Sequence, residues 1–237
     1  MVAVVLMTGT SIMAKSQASR PKPSKSHRPP VIESITEHTF RVGAALIDTQ
    51  DRTVICPGEI NMREGAIEYL AVAPGGKTHE SLLRIDVRPL HLQLALLMLE
   101  LEPRNVLIQQ GDKRTPQGDP VTLRIRWRDE SGQEHSVRAE EMVQDLQTSK
   151  PMPLHEWMFT GSRILKQGFQ ADLEKSLIAV WHDPAAILDN PLPGGSTNAY
   201  AVNSSQVPRR GTHVELIIQA AAPIGSPTRR PPPGGNP

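Results

Sequence analysis

The sequence predicts an α+β fold in which a mainly antiparallel sheet surrounds one central buried helix, at about residues 87–101. Three observations predict this fold. The segment VTLRIRWR (residues 121–128) alternates apolar and polar side chains with the period of a half-buried strand. One longer run, residues 86–103, is apolar at helical spacing on nearly all sides. Glycine and proline separate the other short apolar segments, as is typical of sheet proteins.

The strands are predicted from short β-rich segments bounded by turn residues. VTLRIRWR is followed by DESGQE, which predicts a turn, and by HSVRA, which predicts a hairpin partner. The other candidates are FRVGAALID, RTVIC, AIEYLAVA, EWMFTGS, KSLIAVWH and HVELIIQA. The arginines of VTLRIRWR form a basic stripe that keeps one face in water, and acidic residues nearby in the sequence offset their charge.

The predicted helix lies within DVRPLHLQLALLMLELEP. Asp86 is suited to accept backbone N–H bonds as the N-cap, and Pro89 falls in the first turn, where its missing N–H costs nothing. Pro103 predicts the end of the helix. Because leucines and a methionine cover nearly the whole circumference, we expect this helix to be buried on most sides.

The chain divides by composition into four segments. Residues 1–18 are predicted to be a signal peptide, since Val2–Ala14 is apolar, too short to span a membrane, and followed by small residues suited to cleavage. A disordered apolar N-terminus or a short anchor is the alternative. Residues 19–30 are predicted to be a proline-rich basic linker, residues 31–220 a single folded domain, and residues 221–237 a disordered Pro/Gly-rich tail.

The overall composition argues against several classes of partner and cofactor. The formal net charge of +1 and the aromatic content of 3% argue against a nucleic-acid partner. The single cysteine, Cys56, excludes an intramolecular disulfide and cysteine-rich zinc or iron–sulfur sites within this chain. With the predicted signal peptide, this composition predicts an extracytoplasmic protein, periplasmic or secreted, without a transmembrane helix in the mature chain.

The candidate ligand-binding residues lie in PGGKTHESLL, residues 74–83, and are Lys77, His79, Glu80 and Ser81. A glycine turn lets backbone N–H groups approach an anion, and Lys77 would add positive charge. The spacing is not that of a phosphate-binding P-loop. The simpler interpretation is that His79 and Glu80 bond to the loop backbone and fix the start of the next strand.

A metal site requires a second segment. WHDP supplies His182 and Asp183, and if the two loops meet, His79, Glu80, His182 and Asp183 would form a nitrogen and oxygen site for zinc or a similar divalent metal. The H-E-x-x-H motif of zinc proteases is absent, because Leu83 occupies the position of the second histidine.

Nucleophilic catalysis has weak support in the sequence. The G-x-S-x-G elbow of serine hydrolases is absent, and Gly161-Ser162 lacks the following glycine. A lone cysteine such as Cys56 is most often buried and inert, and a catalytic thiolate would need a base such as His79 nearby. The polar loop at residues 188–200 has groups that could grip a sugar or peptide, but its composition also describes an ordinary connector.

Several segments together resemble the bacterial YdjY-type domain. These are REGAIEYLAVAPGGKTHESLLRIDVRPLHLQLALLMLELEP, VTLRIRWRDESGQEHSVRAEEMV, PMPLHEWMFTGSRIL, SLIAVWHDPAAILDNPL and VPRRGTHVELIIQ, in that order between Thr53 and Gln219. The positions that coincide with the family's motifs are Lys77, His79, Glu80, Ser81, Trp157, Gly161 and Ser162. The resemblance implies an exported bacterial domain without an assigned function. Some members carry ferredoxin-like segments, but one cysteine cannot hold such a cluster here.

Two hypotheses of function follow. The first is a non-enzymatic binding or interaction module of the cell envelope, which needs no cofactor and whose partner is an envelope component or a small ligand. The alternative is an exported metal-dependent, hydrolase-like enzyme with His79 and Glu80 at its centre, assisted by His182 and Asp183. An enzyme requires further polar side chains that converge on His79 in a cleft, whereas a binding module allows these residues to be satisfied locally.

Overall fold

The computed structural model describes residues 30–193 and 199–221. The predicted signal peptide, the linker up to residue 29 and the tail from residue 222 lie outside the described residues, so these assignments stay predictions. In the described part of the chain, no helix is both long and apolar enough to cross a membrane.

The described residues form short and medium strands with little helix. The strands are β1 (Ile32–Ser34), β2 (Thr39–Val42), β3 (Ala45–Asp48), β4 (Thr53–Ile60), β5 (Tyr69–Val72), β6 (Ser81–Ile85), β7 (Pro103–Arg104), β8 (Gln117–Arg128), β9 (Glu134–Arg138), β10 (Val143–Asp145), β11 (Lys150–Pro151), β12 (Trp157–Phe159), β13 (Ile164–Leu165), β14 (Gly168–Phe169), β15 (Ser176–Ala179), β16 (Leu188–Asp189), β17 (Tyr200–Val202) and β18 (His213–Ala220). The α-helices are α1 (Pro89–Met98) and α2 (Gln170–Glu174), and 3-10 helices span Thr78–Glu80 and Ala139–Met142.

Eight strands close into a barrel. Their order is β4, β18, β8, β12, β16, β15, β5 and β6, after which β6 pairs with β4 and completes the ring. Neighbours in the ring are antiparallel except for β15 with β16 and β5 with β6, which are parallel. The strands β1–β3 continue the sheet outside the ring, because β4 pairs with β3 along residues 53–55 and with β6 along residues 58–60.

The core fills the barrel. Alternate residues of β4, β8 and β18 are buried and face inward, which places Cys56, Ile125 and Leu216 in one continuous apolar cluster. An eight-stranded barrel has an interior just wide enough for its own side chains. The barrel therefore leaves no central space for a helix.

The predicted α+β fold with a central helix is wrong. In the described residues, 41% are in strands and 12% are helical, and the sheet is a closed barrel accompanied by two α-helices. The helix itself forms at 89–98, but it packs against β2, β3, β15 and α2 and exposes 41% of Leu97. Its buried side comprises Leu92, Ala95 and Leu96, so an all-round apolar sequence did not require a central position.

The predicted helix start and the predicted hairpin had different outcomes. Helix α1 begins at Pro89 after Arg88, whereas Asp86 pairs with Arg84 instead of capping the helix. The hairpin is confirmed, since β8 and β9 pair in antiparallel register around the turn that starts at Asp129. Arg128 has an acidic partner nearby in the sequence, as expected, since it lies 2.6 Å from Glu134, whereas Arg126 lies 2.6 Å from the distant Glu215 on β18.

The outer face of β5 and β15 is covered by the chain that follows β15. Every residue from 182 to 190 is buried, and Ala186 packs with Tyr69, Val72 and Ala179 in a second small apolar cluster. Both strands are consequently buried at all four positions. Of the candidate residues, Lys77, Glu80 and Asp183 lie at this covered face, next to the 3-10 helix that precedes β6.

Candidate functional site

The candidate loop connects the parallel strands β5 and β6. After β5 the chain turns at Gly75, whose φ of +83° is one that glycine adopts without strain, and then forms the 3-10 helix Thr78–Glu80. The buried Ser81 Oγ donates a 2.6 Å hydrogen bond to the Lys77 carbonyl across this helix. The Nδ2 of Asn61 donates to the Ser81 carbonyl at 2.7 Å and to that of Thr78. These bonds fix the start of β6, but they come from Ser81 and Asn61 and not from His79 or Glu80, whose bonding to the loop backbone was predicted.

Lys77 and Glu80 point toward the covered face. Lys77 Nζ lies 3.5 Å from Glu80 Oε1 and donates to the Tyr69 hydroxyl at 3.1 Å. The same ammonium lies 5.1 Å from the centroid of the Tyr69 ring, within reach of a cation–π interaction. The lysine thus binds one acidic and one aromatic partner, and its orientation is set by both.

The Tyr69 hydroxyl joins the two segments that the sequence analysis singled out. It donates to Asp183 Oδ2 at 2.7 Å and accepts hydrogen bonds from Lys77 and from Gln110 Nε2, the latter at 3.2 Å. Ser176 Oγ donates to the same Asp183 oxygen at 3.2 Å. Burial, followed by the nearby Asp183 carboxylate, raises the pKa of Tyr69 far above its ordinary value, so the phenol stays neutral. Lys77, Glu80 and Asp183 therefore belong to one polar network.

Glu68 completes this network at its outer edge. Its Oε2 accepts a 3.0 Å hydrogen bond from Gln110 Nε2. Burial and then the Glu80 carboxylate raise the pKa of Glu68, while Lys77 opposes the shift. The sequence analysis missed Glu68, Tyr69 and Gln110. Tyr69 occurs in a β-rich segment whose pattern predicts a buried strand, and no local pattern indicates that its hydroxyl bonds to Asp183.

His182 lies elsewhere and is fully buried. Its Nδ1 is 2.8 Å from the Asp112 carbonyl, and its Nε2 is 3.0 Å from the Asn190 carbonyl and 3.2 Å from that of Leu192. Both ring nitrogens therefore face backbone carbonyls in the core, and neither is directed toward a metal site. The carboxyl of Asp189 lies 3.9 Å from Nε2.

The four proposed metal ligands do not converge. The His79 side chain is 79% exposed and lies 3.7 Å from Glu80, whereas His182 is in the core. Across residues 30–193 and 199–221, no group of three or more histidine, cysteine, aspartate or glutamate side chains has an arrangement that could hold a metal ion.

His79 instead lines a surface groove of about 440 Å³. The other residues of this groove are Asn61, Met62, Arg63, Glu64, Thr78 and Arg210. Arg63 is held by backbone carbonyls, with Nε 3.3 Å from Val207 and Nη2 3.4 Å from Ser204. Among the described residues, Arg210 forms no side-chain hydrogen bond and no ion pair, and its charge is one of those that lower the pKa of Glu59. The groove therefore presents two guanidinium groups and an imidazole to solvent. The sequence analysis missed both arginines, because single arginines in separate loops form no motif.

The other candidates serve the fold. Cys56 is buried, and burial raises the pKa of its thiol to about 12, so it is not a nucleophile. Ser162 Oγ accepts the backbone N–H of Ala171 at 3.1 Å at the start of α2. Trp157 is fully buried in β12 and donates its indole N–H to the equally buried Glu140 at 3.1 Å. The loop at residues 188–200 is described in part only, since residues 194–198 lie outside the described ranges.

Comparison with known proteins gives one match. The family model described as the YdjY domain matches residues 45–219, well over half of the chain, from the first residue of β3 to the penultimate residue of β18. The resemblance expected from the sequence is thereby confirmed. No curated protein and no solved structure matches the chain.

Proposed function

The chain belongs to the YdjY domain family, and we propose that its domain is a non-enzymatic binding module of the cell envelope that takes an anionic ligand in the groove beside His79. The observation that carries this proposal is the convergence of Arg63, His79 and Arg210 on one groove. Arginine presents planar donors that match carboxylate and phosphate oxygens. A groove of about 440 Å³ falls within the range of small-ligand sites.

The charges in this groove support an anion. Arg63 bonds to carbonyl oxygens, and in the described part of the chain no carboxylate lies within ion-pairing distance of Arg63 or Arg210. Glu64 also lines the groove, so the two guanidinium groups outnumber the carboxylate. The His79 imidazole adds a hydrogen-bond donor and, when protonated, a further positive charge.

The polar network around Tyr69 supports a structural role for the remaining candidates. Lys77, Glu80 and Asp183 each have partners at bonding distance. Catalytic groups require a reacting atom within their reach, usually in a cleft that excludes water. Lys77 and Glu80 form an ion pair with each other, and Asp183 is buried. Among the described residues, the arrangement of these side chains therefore does not support the metal-dependent hydrolase.

The envelope assignment depends on the apolar residues 1–18 and the basic linker that follows. They predict export and a tether, so the proposed location is periplasmic or secreted. An anionic envelope component, or a small anionic solute in that compartment, has the chemistry to bind the groove.

The test is calorimetric titration of the purified chain with citrate and with tripolyphosphate at low salt. We expect binding that weakens at least tenfold in the double variant Arg63→Ala/Arg210→Ala. The matched control is Arg41→Ala, which removes an exposed arginine from β2, away from the groove. Equal loss in the control and the double variant, or no binding of either anion, would contradict the proposal. Stoichiometric metal in the purified protein that disappears in His79→Ala would instead favour the enzyme.

A further inference from the structure

The groove beside His79 continues toward the β8–β9 hairpin. Arg63 lines both the first groove and a second hollow of about 530 Å³. Trp127, Arg128 and Arg209 form other walls of this second hollow. A third hollow of about 820 Å³ shares Trp127 and Arg128 with the second. The three hollows are therefore neighbours along the barrel surface and together are called the track. In the third hollow the carboxylates outnumber the arginines: Asp86, Asp129, Glu130, Glu134 and Glu215 against Arg126 and Arg128.

The Trp127 ring is fixed in place before any ligand binds. It stacks on the His135 imidazole, with ring centroids 5.2 Å apart and an interplanar angle of 15°. His135 Nε2 is in turn 2.7 Å from Asp129 Oδ2. This contact, followed by the Ser131 hydroxyl, holds the pKa of the Asp129 carboxyl well below its usual range. A held, half-buried indole offers a flat apolar surface at low entropic cost.

Arginine side chains line the same hollows as this ring. Arg209 lies 2.6 Å from Glu130, but both side chains are 81% exposed, so a ligand anion can replace this partner at little cost. Arg128 and Arg126 lie next to carboxylates that accept hydrogen bonds, and guanidinium groups donate them. The track thus combines anion sites, a flat ring and paired donors and acceptors suited to hydroxyl groups.

Building on the function proposed above, we propose that the ligand is an acidic oligosaccharide that follows this track. An acidic group contacts Arg63 and Arg210, a sugar ring lies against Trp127, and a further acidic group contacts Arg209. A ligand that alternates anionic groups with flat, hydroxyl-bearing rings matches this order of side chains.

Two other classes of polymer fit less well. Strands β4, β18 and β8, which line the track, are each paired on both sides, so a peptide cannot be added to them as a new strand. Nucleic acid requires a series of stacking aromatic rings and a strongly basic surface. Among the residues that line the three hollows, Trp127 is the one aromatic side chain apart from His79 and His213.

The test measures the full chain with hexagalacturonate, maltohexaose, poly-L-glutamate and citrate. We expect hexagalacturonate to bind at least tenfold more tightly than citrate, and maltohexaose, which has no acidic group, to bind weakly. Trp127→Leu is expected to lower hexagalacturonate affinity at least tenfold and to leave citrate affinity unchanged. Trp127→Phe, which keeps a flat ring, is expected to restore part of the loss and serves as a check on folding together with thermal melting.

The outcomes separate this inference from the proposed function. If citrate binds through Arg63 and Arg210 but hexagalacturonate binds no more tightly, the oligosaccharide is wrong and the anion groove stands. If poly-L-glutamate of equal charge binds as tightly as hexagalacturonate, or if Trp127→Leu has no effect, charge alone explains binding and the inference fails. If no anion binds, the proposed function itself fails.

Discussion

The imidazole of His182 lies 3.9 Å from the carboxylate of Asp189, and both side chains are buried in the core. Through the carbonyls of Asp112 and Asn190, the imidazole also joins the loop before β8 to the chain after β16. Asp189 Oδ2 accepts the backbone N–H of Asp183, while its Oδ1 has no hydrogen-bond partner in the described residues. Burial raises the pKa of this carboxyl well above its ordinary value, which favours its neutral form.

Removal of this imidazole is expected to destabilise the fold strongly. His182→Gln cannot contact the carbonyls of both Asp112 and Asn190, and a buried polar group left unpaired costs about 1–3 kcal/mol. Urea unfolding measures the loss. The control is His79→Gln, an exposed position where a change within about 0.5 kcal/mol is expected. Equal stability of the two variants would show that the buried contacts of His182 do not stabilise the fold.

Glycine at position 118 is required by the barrel wall. Its φ is +134°, and a Cβ placed there would lie 1.9 Å from the carbonyl oxygen of Phe159 on the neighbouring strand β12. We expect Gly118→Ala to cost about 3 kcal/mol, near the upper end for overpacking. Gly132→Ala is the control, because Gly132 also has positive φ but nothing lies within 4 Å of its Cβ position. It is expected to cost about 1 kcal/mol from backbone strain alone, and equal losses in chemical denaturation would contradict the clash.

The thiol of Cys56 is expected to be inert in the folded protein. Burial raises its pKa to about 12, so the thiolate is rare at pH 8, and reagent cannot reach the sulfur. Ellman's reagent is expected to detect no thiol in the native chain and one per chain in urea. Cys56→Ala, which should give no signal in either condition, is the control. Rapid labelling of native protein would show that the barrel opens at β4.

Acid is expected to destabilise the protein through Asp112. Hydrogen bonds from the Arg114 side chain, and then from the Arg114 and Ile108 backbone N–H groups, hold the pKa of this carboxyl far below its usual range. A carboxyl with a lowered folded-state pKa stabilises the fold at pH values above its unfolded value, about 3.9, and this stabilisation is lost as pH falls below that value.

Thermal melting between pH 7 and pH 2 tests this expectation. Asp112→Asn should lower the melting temperature at pH 7 and flatten its decline below pH 4. Asp51→Asn, at an exposed carboxylate in the β3–β4 turn, should follow the wild-type profile. An unchanged acid decline in Asp112→Asn would assign the pH dependence to other carboxylates.

Local patterns in the sequence predicted local structure well. The alternation of residues 121–128 and the turn after them predicted the β8–β9 hairpin correctly. The apolar spacing predicted a helix at 87–101, and α1 spans 89–98, within three residues at each end. Ring closure could not be predicted in this way. It depends on pairs distant in sequence, such as β18 with β4, and on parallel pairs that carry no hairpin signal.

The same limit applies to the site. Lys77 and Glu80 were singled out by residue type, and the structure places them in one network with Asp183. Tyr69, which connects them, and Arg210, which lines the groove, contribute through distant contacts that no single segment encodes. His182 was proposed as a metal ligand because imidazole nitrogens bind metals. In the structure both nitrogens lie at hydrogen-bond distance from backbone carbonyls instead.

The position of β18 between β4 and β8 has a consequence for how the domain comes to be folded. Along the full length of residues 213–220, this strand joins the earliest strand of the ring to β8. Because a chain is synthesised from its N-terminus, the barrel cannot close until the residues up to 220 have been made. Contacts this distant in sequence slow folding and leave intermediates with unpaired strand edges. Until then β4 and β8 each keep an open edge, which a chaperone can hold.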